Sequence, residues 1–151
     1  MKYLDQIKSS PVKMDILMRH VNKLLNKNKK QILDRFDLTC SQFEILTAIH
    51  FFTENNMEII QVSLSEETNI DPMTTSTILR NLERKGIIKR YRSATNTRTV
   101  IVEFTSEGKE MYKEAASMLQ SSSDEIYQGV NKGHLTSQLL LLSDKLNKLN
   151  C

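Results

Sequence analysis

Asp71 followed by Pro72 fixes the start of a helix more firmly than any other pair in this chain. An Asp side chain accepts from the free N–H groups of a first helical turn, and a proline at the first helical position gives up an N–H that has no partner there. Gly86 ends the same helix, because glycine enters the left-handed conformation without a Cβ penalty; Arg84 and Lys85 before it suit the negative end of the helix dipole. Ile87 to Arg92 and Thr99 to Phe104 are rich in β-branched and aromatic residues. The polar run Ser93-Ala94-Thr95-Asn96-Thr97-Arg98 between them predicts a β-hairpin with a long tip.

Upstream, Ile59, Ile60 and Val62 read as a short strand or extended connector. Ser63-Leu64-Ser65-Glu66 then has the form of a capping box and opens a short helix to about Thr68. Residues 63 to 104 therefore give short helix, tight turn, second helix and hairpin, the order of a winged helix-turn-helix. A further capping box, Thr39-Cys40-Ser41-Gln42, opens a helix through Phe43, Ile45, Leu46, Ile49 and Phe52 that Asn55-Asn56 breaks.

From Lys13 to Phe36 the apolar residues keep helical spacing, with Pro11 suiting the start and a solvated basic surface at Lys27, Lys29 and Lys30. Thr105-Ser106-Glu107-Gly108 opens a long helix through Met111, Ala115, Met118, Leu119, Ile126 and Val130, with Gly129 and Gly133 bracketing its end. A last helix, near Thr136 to Leu149, places Leu135, Leu139, Leu142, Leu146 and Leu149 at coiled-coil spacing, and Leu140 and Leu141 widen that stripe. So broad an apolar face on one helix predicts a homodimer. The expected architecture is mainly α with a small β-wing. Residues 38–105 form the winged helix-turn-helix domain, and residues 1–37 and 106–151 form a helical dimerisation region.

Thr75, Ile78, Leu79 and Leu82 supply the packing face of the helix after Pro72, which leaves Met73, Thr74, Ser76, Thr77, Arg80, Asn81 and Arg84 on the other side. Short hydrogen-bonding side chains near a helix start allow close approach to base edges in a major groove, and cations further along suit phosphates. The whole chain carries a net charge of +3, yet residues 71–105 hold seven basic side chains against three acidic ones, a net +4. Arg92 and Arg98 extend this basic character into the hairpin. The constellation points to double-stranded DNA. A winged-helix module that binds protein through its basic face, without specific DNA binding, is the alternative.

Other classes find little support. With 151 residues, 39% of them hydrophobic, the chain can bury a core without staples. Residues 1–10 lack the apolar run of a signal peptide and no segment is long enough to span a bilayer, so the expected location is cytoplasmic. Cys40 and Cys151 form no disulfide framework or zinc pattern, and reduced thiols are expected. His20, His50 and His134 lie on separate elements, and there is no HExxH, P-loop or glycine-rich nucleotide loop. No enzyme activity, metal or cofactor is expected.

Over nearly its whole length the sequence resembles the MarR family of regulators. The matching residues are Leu38-Thr39, Gln42-Phe43 and Leu46, then Asp71-Pro72, the run from Leu82 to Arg90, and Phe104 with Thr105-Ser106-Glu107-Gly108. The resemblance implies a two-fold dimer held by the first and last two helices, a reading helix over Pro72 to Gly86, and a wing arginine, matched by Arg98, that reaches the minor groove. Two positions depart from the family pattern: Asn96 stands where an Asp is frequent, and Thr77 where an Arg is frequent. A bidentate arginine discriminates guanine by about 1–3 kcal/mol, whereas a hydroxyl is less exclusive. The expected operator is accordingly an AT-rich, imperfect palindrome read by Thr74, Ser76, Thr77, Arg80 and Arg98. The family likeness also implies a repressor that responds to a small molecule or to cysteine oxidation. Met14, Met18, Phe43, His50 and Met111 are the effector-pocket candidates, and Cys40, at a helix start, is the one candidate for oxidation.

Overall fold

A computed structural model describes Asp5 and residues 7–151, and the chain divides into two compact units, Met1–Ala116 and Ser117–Cys151. In the first unit α1 spans Lys13–Leu33 and runs into a 3-10 turn at Asp34–Phe36. Next come α2 (Cys40–Glu54), α3 (Gln61–Thr68), α4 (Pro72–Arg84), β1 (Ile88–Arg92) and β2 (Val100–Phe104). The long α5 (Ser106–Ile126) carries the unit boundary within its length, and α6 (Lys132–Leu149) lies in the second unit.

The helix starts follow their caps. Thr39 accepts from Gln42 N–H while the Gln42 side chain accepts from Thr39 N–H, a complete capping box that sets the start of α2. Asp71 accepts from Thr74 N–H with Pro72 behind it, and Gly86, at φ +74°, closes the turn after α4. Two expected starts move. Ser63 does not cap α3, which begins at Gln61 with Ile60, three residues before Ser63, as its N-cap. The reason lies in the sheet: Ile60 bridges Ile101 and Ile59 accepts from Val102 N–H, so the extended segment ends at Ile60 and Val62 already belongs to the helix. The last helix begins at Lys132 instead of near Thr136, because the Asn131 side chain accepts from His134 N–H. Gly133 thus falls inside its first turn; Gly129, at φ +80°, and Val130 lie beyond the end of α5.

The core of the first unit gathers Leu33, Ile45, Leu46, Ile49, Leu64, Leu79, Leu82, Ile88 and Val102, all fully buried. β1 and β2 pair antiparallel from Ile88 opposite Phe104 to Arg92 opposite Val100. The root of this hairpin is fastened to α5: Thr105 donates its hydroxyl to the carbonyls of Gly86 and Ile87, and that oxygen accepts from Gly108 N–H. Apolar faces at the chain's two ends stay uncovered. α1 buries only Leu33 and exposes Met14, Met18, Val21 and Leu24, while α6 buries nothing and exposes Leu139 to Leu142, Leu146 and Leu149.

Candidate nucleic-acid interface

α4 presents two faces of opposite chemistry. Thr75, Ile78, Leu79 and Leu82 are buried, whereas Met73, Thr74, Thr77, Arg80 and Arg84 are exposed and Ser76 and Asn81 are half-buried. The outer face is internally ordered. Arg80 donates to the Thr77 hydroxyl at 3.2 Å, which itself donates to Met73 carbonyl, and Arg84 donates to the Asn81 side-chain carbonyl at 3.3 Å. At the helix start Asp71 is held below the usual carboxylate range by its hydrogen bond with Thr74.

The hairpin tip is held in the same manner. Buried Ser93 accepts from the N–H groups of Thr95 and Asn96, Asn96 accepts from Arg98 N–H, and Thr99 N–H returns to Asn96 carbonyl. Arg92 donates to Thr97 carbonyl at 2.7 Å, bracing the tip from β1. The guanidinium of Arg98 stays exposed.

The seven cations of residues 71–105 fall into two groups. Lys85 pairs with Asp37, Lys89 with Glu103, and Arg90 with Glu83 at 2.6 Å while also reaching Gln61. Arg80, Arg84, Arg92 and Arg98 carry no carboxylate partner among the described residues. These four are the basic members of the sequence-derived site. The remaining three hold the fold together, a division that charge counting along the sequence cannot make, because their partners are up to 48 residues away. On the far side of the hairpin, Tyr91 donates to Glu103; that bond and Lys89 hold the Glu103 carboxyl low, and the same bond pushes the Tyr91 hydroxyl up.

The effector candidates are placed unevenly. Phe43 stacks on Tyr112 with ring centroids 5.3 Å apart, and His50 lies 4.9 Å from the same ring. The sequence reading passed over Tyr112, the ring that joins them; its position on α5, one residue after Met111, was the available signal. Met111 is half-buried, while Met14 and Met18 are exposed on α1. Cys40 is half-buried at the first position of α2.

A reading helix capped by Asp71 and Pro72, packed across α3 and followed by a braced two-stranded hairpin, defines a winged helix-turn-helix. Residues 27–115 match the family model of the transcriptional regulators SarA/Rot, and the chain belongs to that family. Over 78 residues it is 32% identical to the HTH-type transcriptional regulator YdcH of Bacillus subtilis, a match covering 52% of this chain and about half, 53%, of that relative. Among solved structures, the S. aureus MepR–DNA complex superposes with a TM-score of 0.78 at 22% identity, over 89% of this chain and 96% of MepR. Wild-type Escherichia coli MarR in its apo form gives 0.68 at 22% identity, over 87% and 96%. The likeness to MarR therefore holds in the fold. No helix among the described residues is long and apolar enough to cross a membrane.

Proposed function

We propose that this regulator is a dimeric repressor that binds an operator in double-stranded DNA through α4 and the wing and releases it in response to a small ligand. The observation that carries the reading is the division of the cations: Arg80, Arg84, Arg92 and Arg98 have no carboxylate partner among the described residues and are available for phosphates, while Lys85, Lys89 and Arg90 are neutralised by named carboxylates. In this reading Met73, Thr74, Ser76, Thr77, Arg80 and Asn81 face base edges, Arg84 and Arg92 face the backbone, and Arg98 enters a minor groove. The solved MepR complex, in which a protein of this fold is bound to DNA, supports the assignment.

Residues 38–105 would serve as the DNA-binding domain, and residues 1–37 and 106–151 as the dimerisation region. Support comes from the uncovered apolar residues of α1 and α6. Two reading helices one turn of DNA apart, about 34–36 Å, then require a palindromic site. An effector pocket around Phe43, His50, Met111, Met14 and Met18 is supported by the aromatic cluster of Phe43, His50 and Tyr112.

The test is a gel-shift against the protein's own upstream region with a random competitor and a salt series. Preferential binding is expected, with a log–log salt slope of about −0.9 for each phosphate contacted. Absence of any preference over random DNA would overturn the proposal.

A further inference from the structure

The reading segment is not the most basic part of the molecule. α1 holds six cations, Lys13, Arg19, Lys23, Lys27, Lys29 and Lys30, against Asp15 alone, a net +5 within residues 13–33. Residues 34–70 carry Arg35 against seven carboxylates, so charge is segregated along the chain and not dispersed. Arg19, Lys23, Lys27 and Lys30 succeed one another at steps of four, four and three, which places them on one side of the helix, away from Met14, Met18 and Val21. Only Lys30 of these four has a carboxylate partner among the described residues, Asp34 at 2.8 Å; Arg19, Lys23 and Lys27 stand exposed and unpaired. Lys23, Lys27 and Lys30 also line a crevice of about 540 Å³ that reaches Cys40 at the N-terminus of α2, whose dipole adds positive potential.

The geometry points to a second, sequence-independent contact for double-stranded DNA along this stripe, distinct from α4 and the wing. The inference adds to the operator reading proposed above, and its test separates the two. From Arg19 to Lys30 the stripe is about 16 Å long, which matches roughly five phosphates of one strand. Its chemistry selects the partner. Three of the four side chains are lysines, which protein interfaces disfavour but which serve well as point charges for phosphates. α1 contains no Phe, Tyr or Trp, and its single imidazole, His20 beside Lys23, offers an unpaired strand at most one stacking ring, so a single strand fits less well. The ion pair of Lys85 with Asp37 joins the segments just beyond α4 and α1, so the two helices are neighbours at their C-terminal ends. Arg19 lies about three turns back along α1 from Lys30, and Thr74 nearly three turns back along α4 from Arg84. Arg19, Lys23 and Lys27 are the members assigned to a second segment of DNA, so that a protein bound to its operator could bridge two duplexes.

The test uses the full chain with the reading head disabled by Arg80→Glu and Arg84→Glu, titrated against a random 30-base-pair duplex by fluorescence anisotropy across a salt series. Residual binding is expected, with a log–log slope of about −2.7 for three phosphate contacts per stripe. Adding Arg19→Gln, Lys23→Gln and Lys27→Gln should weaken it at least tenfold. In the background of the native reading head, the same three glutamines should leave operator affinity within twofold but abolish capture of a second labelled duplex by operator-bound protein. Residual binding that is absent, or unaffected by the glutamines, overturns the inference. So does a DNA-free assembly larger than a dimer that the glutamines dissolve, which would make the acidic residues 34–70 of another copy the occupant. If the Arg80→Glu, Arg84→Glu protein instead keeps its preference for the operator, the reading-head proposal fails, and the stripe is still judged by the effect of the glutamines.

Discussion

Replacing Gly108 by alanine should cost more stability than the same change at Gly86, although Gly86 is the glycine in the left-handed region. At Gly86, φ is +74° and nothing lies within 4 Å of an added Cβ, so the cost is backbone strain of about 1–2 kcal/mol. Gly108 has ordinary helical geometry, but a Cβ there would lie 1.9 Å from the Ile87 carbonyl oxygen and 2.6 Å from its carbon. Comfortable separation of such atoms is near 3.5 Å, so the hairpin root or α5 must shift by about 1.5 Å. That carbonyl accepts from Thr105 N–H at 3.0 Å and from the Thr105 hydroxyl at 3.1 Å, and both bonds would lengthen.

An overlap this severe, against backbone, lies at the upper end of overpacking costs, about 3 kcal/mol, and each of two weakened hydrogen bonds adds up to about 1 kcal/mol, while alanine returns about 1 kcal/mol of helix propensity. The net loss is about 2–4 kcal/mol, or roughly 5–15 °C in Tm for a chain of this length. Circular dichroism melts and urea unfolding at one fixed protein concentration measure it, since the proposed dimerisation would make stability concentration-dependent. A loss at Gly108 equal to or smaller than that at Gly86 would refute the claim that close packing, and not backbone conformation, makes this glycine necessary.

Charge reversal at Arg80 and Arg84 together should abolish preferential binding of the operator over random duplex in a gel-shift, yet leave the circular dichroism spectrum and the sedimentation coefficient unchanged. Arg90→Ala should do the reverse: it removes the bonds to Glu83 and Gln61, costing about 1–2 kcal/mol in urea unfolding, and leaves the salt slope of DNA binding intact. Because Asp71 is held below its ordinary value of 3.8, its cap stabilises the fold fully above that pH and is lost as pH falls through the lowered value. Asp71→Asn keeps an acceptor for Thr74 N–H and should flatten the acid side of a stability–pH profile measured by urea unfolding.

What the sequence made legible was what local chemistry decides. Asp71-Pro72, Thr39 with Gln42, Gly86 and the buried stripe of α4 each depend on residues within a turn or two, and the structure has them as expected. The misplaced starts had non-local or competing causes. Ser63-Leu64-Ser65-Glu66 is a sound local signal, overruled because β2, some 40 residues on, holds Ile60 in an extended bridge. The last helix starts at Lys132 and not near Thr136, because Asn131 caps it. At the site, the sequence named Arg80, Arg84, Arg92 and Arg98 but could not show that Lys85, Lys89 and Arg90 are neutralised by distant carboxylates, and Gly108 gave no hint that the Ile87 backbone would press against it.

Both departures from the MarR pattern turn out to involve an arginine. Asn96 accepts from the backbone N–H of Arg98, and the Thr77 hydroxyl, its own proton given to Met73 carbonyl, accepts from the Arg80 guanidinium. Beside the base-reading role proposed for Thr77, this bond offers it a second, as a support that pre-orders Arg80 and spares part of the roughly 0.5–1.5 kcal/mol needed to immobilise a long side chain on binding. A double-mutant cycle separates the two roles. If Thr77 acts through Arg80, Thr77→Val should weaken operator and random duplexes alike by about two- to tenfold, and should cost almost nothing further once Arg80→Ala is in place. If its hydroxyl reads a base directly, the loss will be confined to the operator and will add to that of Arg80→Ala. The second result would leave Thr77 to direct readout alone and strip Arg80 of its proposed support.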